Sequence, residues 1–556
     1  MVAMGTPALQ PITIYRARKI LTMNPAQPVA THVAVRGGRI LAVGTDEQVS
    51  AWPGARRDDR YADQVLMPGL VEGHCHLYEG VVWLYVYVGF YDRRGPDGMV
   101  WPGLKTVDAV VARLVEAEAR LEPGRHLVAW GFDPIYLGTS RLTVQDLDKV
   151  PGGRGVIVLH ASVHLMNANS RALAMAGIDR DTDIEGISRF PNGEPSGELR
   201  EFPAMFPVMR MIGNPFRMLG MTAQCLENFS RVALASGVTT ATDLINELPD
   251  EGIETLARVT RGDDFPLRIV PAASGMLFSR DVQGCLTKLE RLKQSNHDKM
   301  HLGPVKLVVD GSIQGFTARV LWPGYYNGAP NGIWIVPPDD LADIVEQYHR
   351  AGIQLHIHTN GDEATEVTLN ALERALTLYP RWDHRHTLQH CQMASPAQFR
   401  RIARLGLCVN LFANHIFYWG DAHMEMTMGP DRANRMDSCA TAQRMGIPFA
   451  IHSDAPITPL APLFTAWCAV NRRTASGRVL GESERISVAD ALRAITLGAA
   501  YTLRMDDRIG SIEVAKFADF CVLDSDPSQA APEALKDVAI AGTMVGGHAF
   551  EAPHAA

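Results

Sequence analysis

Eight apolar segments of strand length recur along the chain, and helix-compatible sequence follows most of them. They fall at 65–76, 237–244, 266–274, 303–311, 352–360, 386–392, 406–414 and 447–454. Several are nearly continuous apolar runs, the pattern of parallel strands buried on both faces. The stretches 339–351 and 395–405 have helical spacing and follow cap-like residues. Eight such units are the count of a (β/α)8 TIM barrel, an α/β fold.

Two parts of the chain fall outside that count. The distance from the first segment to the second is too long for one crossover, so an inserted subdomain is expected at about 78–225. It contains an amphipathic helix around 107–121 and strand-like runs at 127–130 and 156–160. The two ends of the chain are rich in short strands: 12–15, 33–35 and 40–43 with a Gly37-Gly38 turn, then 511–514, 519–523 and 538–542. Neither end has enough apolar surface alone, so together they predict one discontinuous small β-sandwich. The expected division is sandwich at 1–64, barrel at 65–500 and sandwich again at 501–556.

With 556 residues, 46% hydrophobic and 21% charged, the composition is that of an ordinary globular enzyme. A net charge of -8 argues against nucleic acid or an anionic membrane as partner, and no Lys/Arg-rich block appears. The longest apolar run, Val81 to Tyr91, is far short of the roughly 20 residues a membrane helix needs. The opening residues carry no export-signal pattern. Eight cysteines without CxxC pairing suggest free thiols in a reducing compartment, with the cytoplasm as the expected location.

In such barrels functional residues gather at the carboxyl ends of strands. The first segment ends in Gly73-His74-Cys75-His76, where strand alternation sends both imidazoles one way and Cys75 the other. Two close imidazoles make half of a divalent-metal site, although His-x-His alone also describes a pair of solvated histidines. Lys306 lies within the apolar fourth segment, where a lysine must be paired, shifted in pKa or modified. The fifth segment offers His356 and His358, with His358 nearer the carboxyl end. The sixth reaches His390, and the eighth ends His452-Ser453-Asp454. Chance places one or two such residues at strand ends, not the whole set.

These residues resemble the amidohydrolase superfamily, and within it the amidohydrolase-3 branch of YtcJ-like and N-substituted formamide deformylase-like proteins. The markers are Pro68 through His76, Lys306 through Ser312, His358 through Asp362, His390, and Ser453-Asp454-Ala455-Pro456. Gly510 through Glu513 leading to Ala518-Asp519 adds to them. So do Trp130 through Asp133, Leu147-Asp148, His164 through Leu173, and Pro195 through Leu199 in the insert. The resemblance covers nearly the whole chain. It implies His74, His76, His358, His390 and Asp454 as metal ligands, with Lys306 N6-carboxylated and bridging two ions. Cys75 and His452 depart from the usual pattern, which has small residues at both places. His452 shares the parity of Asp454 and so could face inward beside it.

The implied chemistry is hydrolysis of a C–N bond other than a peptide bond: amide, N-formyl, carbamate or related. One or two divalent ions, zinc by ligand type, would activate water, with Asp454 as the base. A single-metal decarboxylase or isomerase on the same scaffold is the alternative, and a barrel that has lost its metals a third. The expected partner is a small molecule, with a homodimer as the default assembly. The aromatic run from Val81 to Tyr91 either walls the pocket, with Trp83 touching a hydrophobic or aromatic substrate, or packs the insert on the barrel. His164 and His415 match polar positions near the site in this branch. Arg93 and Arg94 either recognise a carboxylate or form a solvated pair.

Overall fold

The computed structural model describes residues 10–138, 140–213, 220–277 and 281–552. Eight strands form one sheet in chain order: β1 (Leu70–Glu72), β2 (Val238–Asn246), β3 (Arg268–Ser274), β4 (Val305–Val308), β5 (Leu355–Thr359), β6 (Thr387–His390), β7 (Cys408–Leu411) and β8 (Phe449–Ile451). Each neighbouring pair is parallel. Just beyond β1 and β8 a parallel bridge joins Cys75 to Ala455 and brings the first strand's end to the last. There His76 N donates to Ala455 O at 2.9 Å and Asp454 N donates to His74 O at 3.1 Å. This is the (β/α)8 barrel expected from the eight segments.

Helices Asp250–Thr260, Val282–Leu292, Pro338–Arg350, Asp362–Leu378 and Pro396–Arg404 lie in the crossovers from β2 to β7. Helix Pro396–Arg404 shows why these stretches are helical. Ser395 caps it in a reciprocal box with Gln398, Pro396 occupies its first turn, and Phe399 and Ile402 turn into the core.

The first apolar segment is divided between two sheets. Residues through Pro68 belong to the strand Arg56–Pro68 of the terminal sheet, and only Leu70–Glu72 joins the barrel. Gly69 makes the turn: its N–H donates to Asp519 O at 2.9 Å, and a Cβ there would lie 2.0 Å from Thr239 Oγ1. The N- and C-terminal segments meet in one seven-stranded sheet, in which Phe520–Leu523 pairs antiparallel with Arg56–Pro68. Residues 511–514 lie outside any strand. Ile512 N donates to Thr22 O at 2.8 Å, and its side chain enters the core of this sheet.

The insert builds a six-stranded sheet from Val86–Tyr87, Leu127–Phe132, Val156–His160, Leu165–Ala168, Ile187–Arg189 and Pro195–Arg200. Helix Glu201–Met211 follows it, and helix Ala223–Ala235 leads into β2. Gly80 lets the start of the insert cross that second helix closely, because a Cβ on it would lie 2.0 Å from Cys225 O. All eight cysteines are buried and free. Among the described residues no helix is long and apolar enough to cross a membrane.

Barrel and terminal sheet are locked by a buried fork. Arg268 on β3 donates Nε to Asp519 Oδ2 at 2.6 Å and Nη2 to Asp519 Oδ1 at 2.8 Å. Gly546 N donates to the same carboxylate, and Phe517 covers the guanidinium at 3.7 Å. Removing one partner leaves a buried charge unmatched, at a cost of about 3–5 kcal/mol. Asp519→Ala is therefore expected to lower stability to denaturant by that amount. A loss below about 1 kcal/mol would show that the fork does not hold the two parts together.

Candidate metal centre

The barrel's closing bridge assembles the site. After β1 the chain passes through Gly73-His74-Cys75-His76, and Cys75 turns to β2, its Sγ 3.0 Å from Thr242 O. His74 and His76 share the other side, ring centroids 5.4 Å apart. Asp454, just past β8, has φ of +54°, and His390, at the end of β6, has φ of +64°. Left-handed backbone is unusual for residues with a Cβ and costs on the order of 1 kcal/mol or more. At His390 it breaks strand alternation, so that Gln389 and His390, adjacent in sequence, both face the centre.

Three ligand atoms converge. His74 Nδ1 lies 2.7 Å from Gln389 Oε1, an acceptor, so Nδ1 carries the proton and Nε2 keeps its lone pair. Asp454 Oδ1 lies 3.3 Å from His74 Nε2 and 3.2 Å from His76 Nε2. All three residues are buried, their ligand atoms lie within 4.8 Å of one another, and Oδ1 has no hydrogen-bond donor. A buried carboxylate oxygen facing imidazole nitrogens and lacking a donor is costly unless a cation compensates it. The donor set of two imidazoles and one carboxylate fits a divalent metal ion.

His74, His390 and His452 form a second convergent group. His452 stacks on His74 at 4.6 Å, takes Asn410 Oδ1 at Nδ1 (3.1 Å), and brings Nε2 to 3.2 Å from His390 Nδ1. Lys306, on β4, reaches His74 Nε2 with Nζ at 3.3 Å. Burial drops its pKa to about 7, so a large share of the amine is neutral at neutral pH. His358 lies on the same wall, but its Nε2 faces Gly311 O at 3.2 Å and Asn360 Nδ2 at 3.2 Å, outside both convergent groups.

Burial also pulls the pKa of His74, His358 and His390 well below the ordinary value, helped by Lys306, His164 and His358 respectively. They stand as neutral imidazoles, the form that binds metal. Burial opposes charge on His76 too, yet Asp243 and Asp454 outweigh it and raise its pKa.

These residues and two more of those singled out in the sequence line one cavity of about 50 Å³: His74, His76, Lys306, His358, His390 and Asp454, with His164 and His415. His164 Nδ1 lies 2.9 Å from Glu201 Oε2, which raises its pKa against burial. His415 faces Asp437, and burial drops its pKa to about 3. Trp83 does not line the cavity. Its Nε1 donates to Glu79 at 3.0 Å and it packs edge-on to Trp130, within the insert core. Arg93 is no solvated residue: it is buried against Glu79 at 3.0 Å and donates Nη1 to Pro456 O at 2.6 Å, pinning the loop after Asp454.

Two supporting residues escaped the sequence reading. Gln389 joins His74 to His356, donating Nε2 to His356 Nδ1 at 2.6 Å. Alternation from His390 would have turned it outward, and only the left-handed φ reverses that. Buried Glu72 accepts from Ser453 Oγ at 2.8 Å and from Ser453 N at 3.2 Å, tying β1 to the turn that carries Asp454. Burial pushes its pKa up to about 8. The sequence showed it as a carboxylate at the end of an apolar strand, inside the marker stretch Pro68 through His76, with nothing local to pair it with Ser453.

The chain is similar to known proteins along almost its whole length. The profile of the Amidohydrolase family matches residues 62–549. The putative amidohydrolase YtcJ of Bacillus subtilis (strain 168) is 25% identical, the match covering 96% of this chain and 98% of that one. N-substituted formamide deformylase of Arthrobacter pascens is 26% identical, covering 95% and 96%. A crystal structure of an uncharacterized metal-dependent hydrolase from Pyrococcus horikoshii OT3 has the same fold. It superposes with a TM-score of 0.71 at 20% identity, over 94% of this chain and 99% of that one.

Groups that orient a ligating imidazole typically control metal affinity by about 10–100-fold. Gln389→Leu removes the acceptor that fixes the His74 tautomer, and zinc affinity measured by competition with a chelator is expected to fall by that factor. Unchanged affinity would separate Gln389 from the centre.

Proposed function

The chain belongs to the amidohydrolase family, and on that premise we propose that it is a metal-dependent hydrolase cleaving a C–N bond of a small substrate. The observation that carries this reading is the convergence of His74 Nε2, His76 Nε2 and Asp454 Oδ1, the last a buried oxygen with no donor. Similarity to N-substituted formamide deformylase supports an N-formyl or related N-acyl bond.

His74, His76 and Asp454 would hold one divalent ion, with zinc the best match to imidazole and carboxylate. Lys306, His358 and His390 complete the set for one ion or two. A bound ion supplies Lewis acidity, lowering the pKa of water to ~7 and polarising a carbonyl. The protein's own groups do the rest. Asp454 takes the proton of the attacking water on a carboxylate oxygen and returns it to the leaving nitrogen. Glu72 and Arg93 hold the segment that carries Asp454, the first through Ser453 and the second through Pro456 O. His164 and His415 border the substrate's polar group, and apolar neighbours such as Phe412 and Ile457 keep bulk water out.

Lys306 suits carboxylation. Its amine must be neutral to add to carbon dioxide, and a pKa of about 7 makes that form available at neutral pH. Activation of metal-depleted protein by zinc is expected to require bicarbonate and to fall away as the pH drops below about 7, where the ammonium form prevails. Bicarbonate-independent activation would exclude a carboxylated Lys306.

Metal analysis of protein purified without added ions, together with product analysis on N-formyl and N-acyl amines, tests the main reading. Bound transition metal and released amine are expected, with both lost in His74→Ala. A metal-free active protein, or carbon dioxide as the product in place of amine, would overturn it.

A further inference from the structure

One wall of the metal cavity takes no part in holding an ion or moving a proton. Ser312 and Gln314, in the loop after β4, and Asn360, just past β5, line it. The loop is pinned where they stand. Thr317 N donates to Ser312 O at 3.1 Å, Ser312 N donates to Thr317 Oγ1 at 3.0 Å, and Ile313 is buried in the core behind. Asn360 is held as firmly: its N donates to Asp310 Oδ1 at 3.0 Å and its Nδ2 to Gly311 O at 2.9 Å.

All three side chains are at most 5% exposed. Each keeps an oxygen without a hydrogen-bond partner: Ser312 Oγ, Gln314 Oε1 and Asn360 Oδ1. The bond from Nδ2 to Gly311 O leaves Oδ1 as the free atom of the Asn360 amide. A buried polar atom left unpaired costs about 1–3 kcal/mol, so three on one wall call for a bound molecule that pairs with them. All three can accept, and what they lack is a donor.

The barrel sets this wall across from the convergent ligand atoms. Its strands run in order from β1 to β8 and close between those two, so β4 and β5 stand opposite β8 and β1. A trans secondary amide points its C=O and its N–H in opposite directions. With the carbonyl toward His74, His76 and Asp454, the N–H faces Ser312, Gln314 and Asn360.

We propose that these three residues accept the N–H of the scissile amide, so that recognition favours a secondary amide over an isosteric group without the N–H. This rests on the hydrolase reading above for the reacting bond, and on the unpaired oxygens for the selectivity.

Two measurements separate the two. The first is kcat/KM for N-butylformamide and for butyl formate, in which oxygen replaces the N–H. In Gln314→Leu, and separately in Ser312→Ala, the amide-to-ester ratio is expected to fall about tenfold or more, because the amide alone loses a partner. The second is calorimetric binding of butanamide and 2-pentanone, which differ by NH2 against CH3, to wild type and to His74→Ala. On a wall without acceptors the amide would lose its water uncompensated and the ketone would bind tighter. The amide is expected to bind about tenfold tighter or more to both proteins, and Gln314→Leu to shrink that preference in each. An amide-to-ester ratio unmoved by both variants would overturn the proposal while sparing the hydrolase reading. So would a ketone bound as tightly as the amide. Amide-selective binding, weakened by Gln314→Leu, in a protein that hydrolyses neither formyl compound would support the polar wall and refute the hydrolase reading.

Discussion

Closure of the barrel at Cys75 and Ala455 is the constraint on which the rest depends. That bridge brings the end of the first strand to the end of the last, although some 380 residues separate them. Backbone hydrogen bonds on either side fix His74 and His76 against Asp454 before any side chain is considered. Glu72 strengthens the seam from below through Ser453, and Arg93 strengthens it from the insert through Pro456 O. Metal ligation would use what the closure already holds in place.

The left-handed backbone at His390 and Asp454 shows where regular strand geometry yields to the site. Regular β alternation would send one of each adjacent pair away from the centre. The positive φ lets β6 supply Gln389 as support and His390 as wall, and lets the turn after β8 aim Asp454 across at two imidazoles. Such conformations persist because the surrounding fold determines them. Buried neutral histidines and a lysine of lowered pKa are part of the same arrangement, since desolvation keeps their lone pairs available.

Much of this was legible in the sequence because it is local. Apolar runs marked all eight barrel strands, Gly37-Gly38 marked a hairpin, and helical spacing after cap-like residues marked the helix within 395–405. His-x-His on one strand end announced its own geometry. Other features depend on partners far along the chain. The first apolar run looked like one strand because nothing local says that Gly69 must pass between Thr239 and the terminal sheet. The aromatic run after the metal histidines left Trp83 open between pocket wall and packing of the insert, and only its contacts with Glu79, Trp130 and Arg93 place it in the insert core. Arg93 and Arg94 looked like a solvated pair, and only Glu79 and the loop after Asp454 distinguish the first from the second. Gln389 was hidden by an alternation rule that its neighbour breaks.

A division of labour follows from the layout. The barrel holds the reacting centre, the terminal sheet braces it through Arg268 and Asp519, and the insert supplies the Arg93 brace on the loop after Asp454. The central claim is that His74, His76 and Asp454 share a metal ion. Crystal diffraction at a transition-metal absorption edge tests it most directly. The expected result is an anomalous peak about 2.0–2.2 Å from His74 Nε2, His76 Nε2 and a carboxylate oxygen of Asp454. An anomalous peak elsewhere, or a protein that binds no transition metal at these three residues when zinc is supplied, would contradict it.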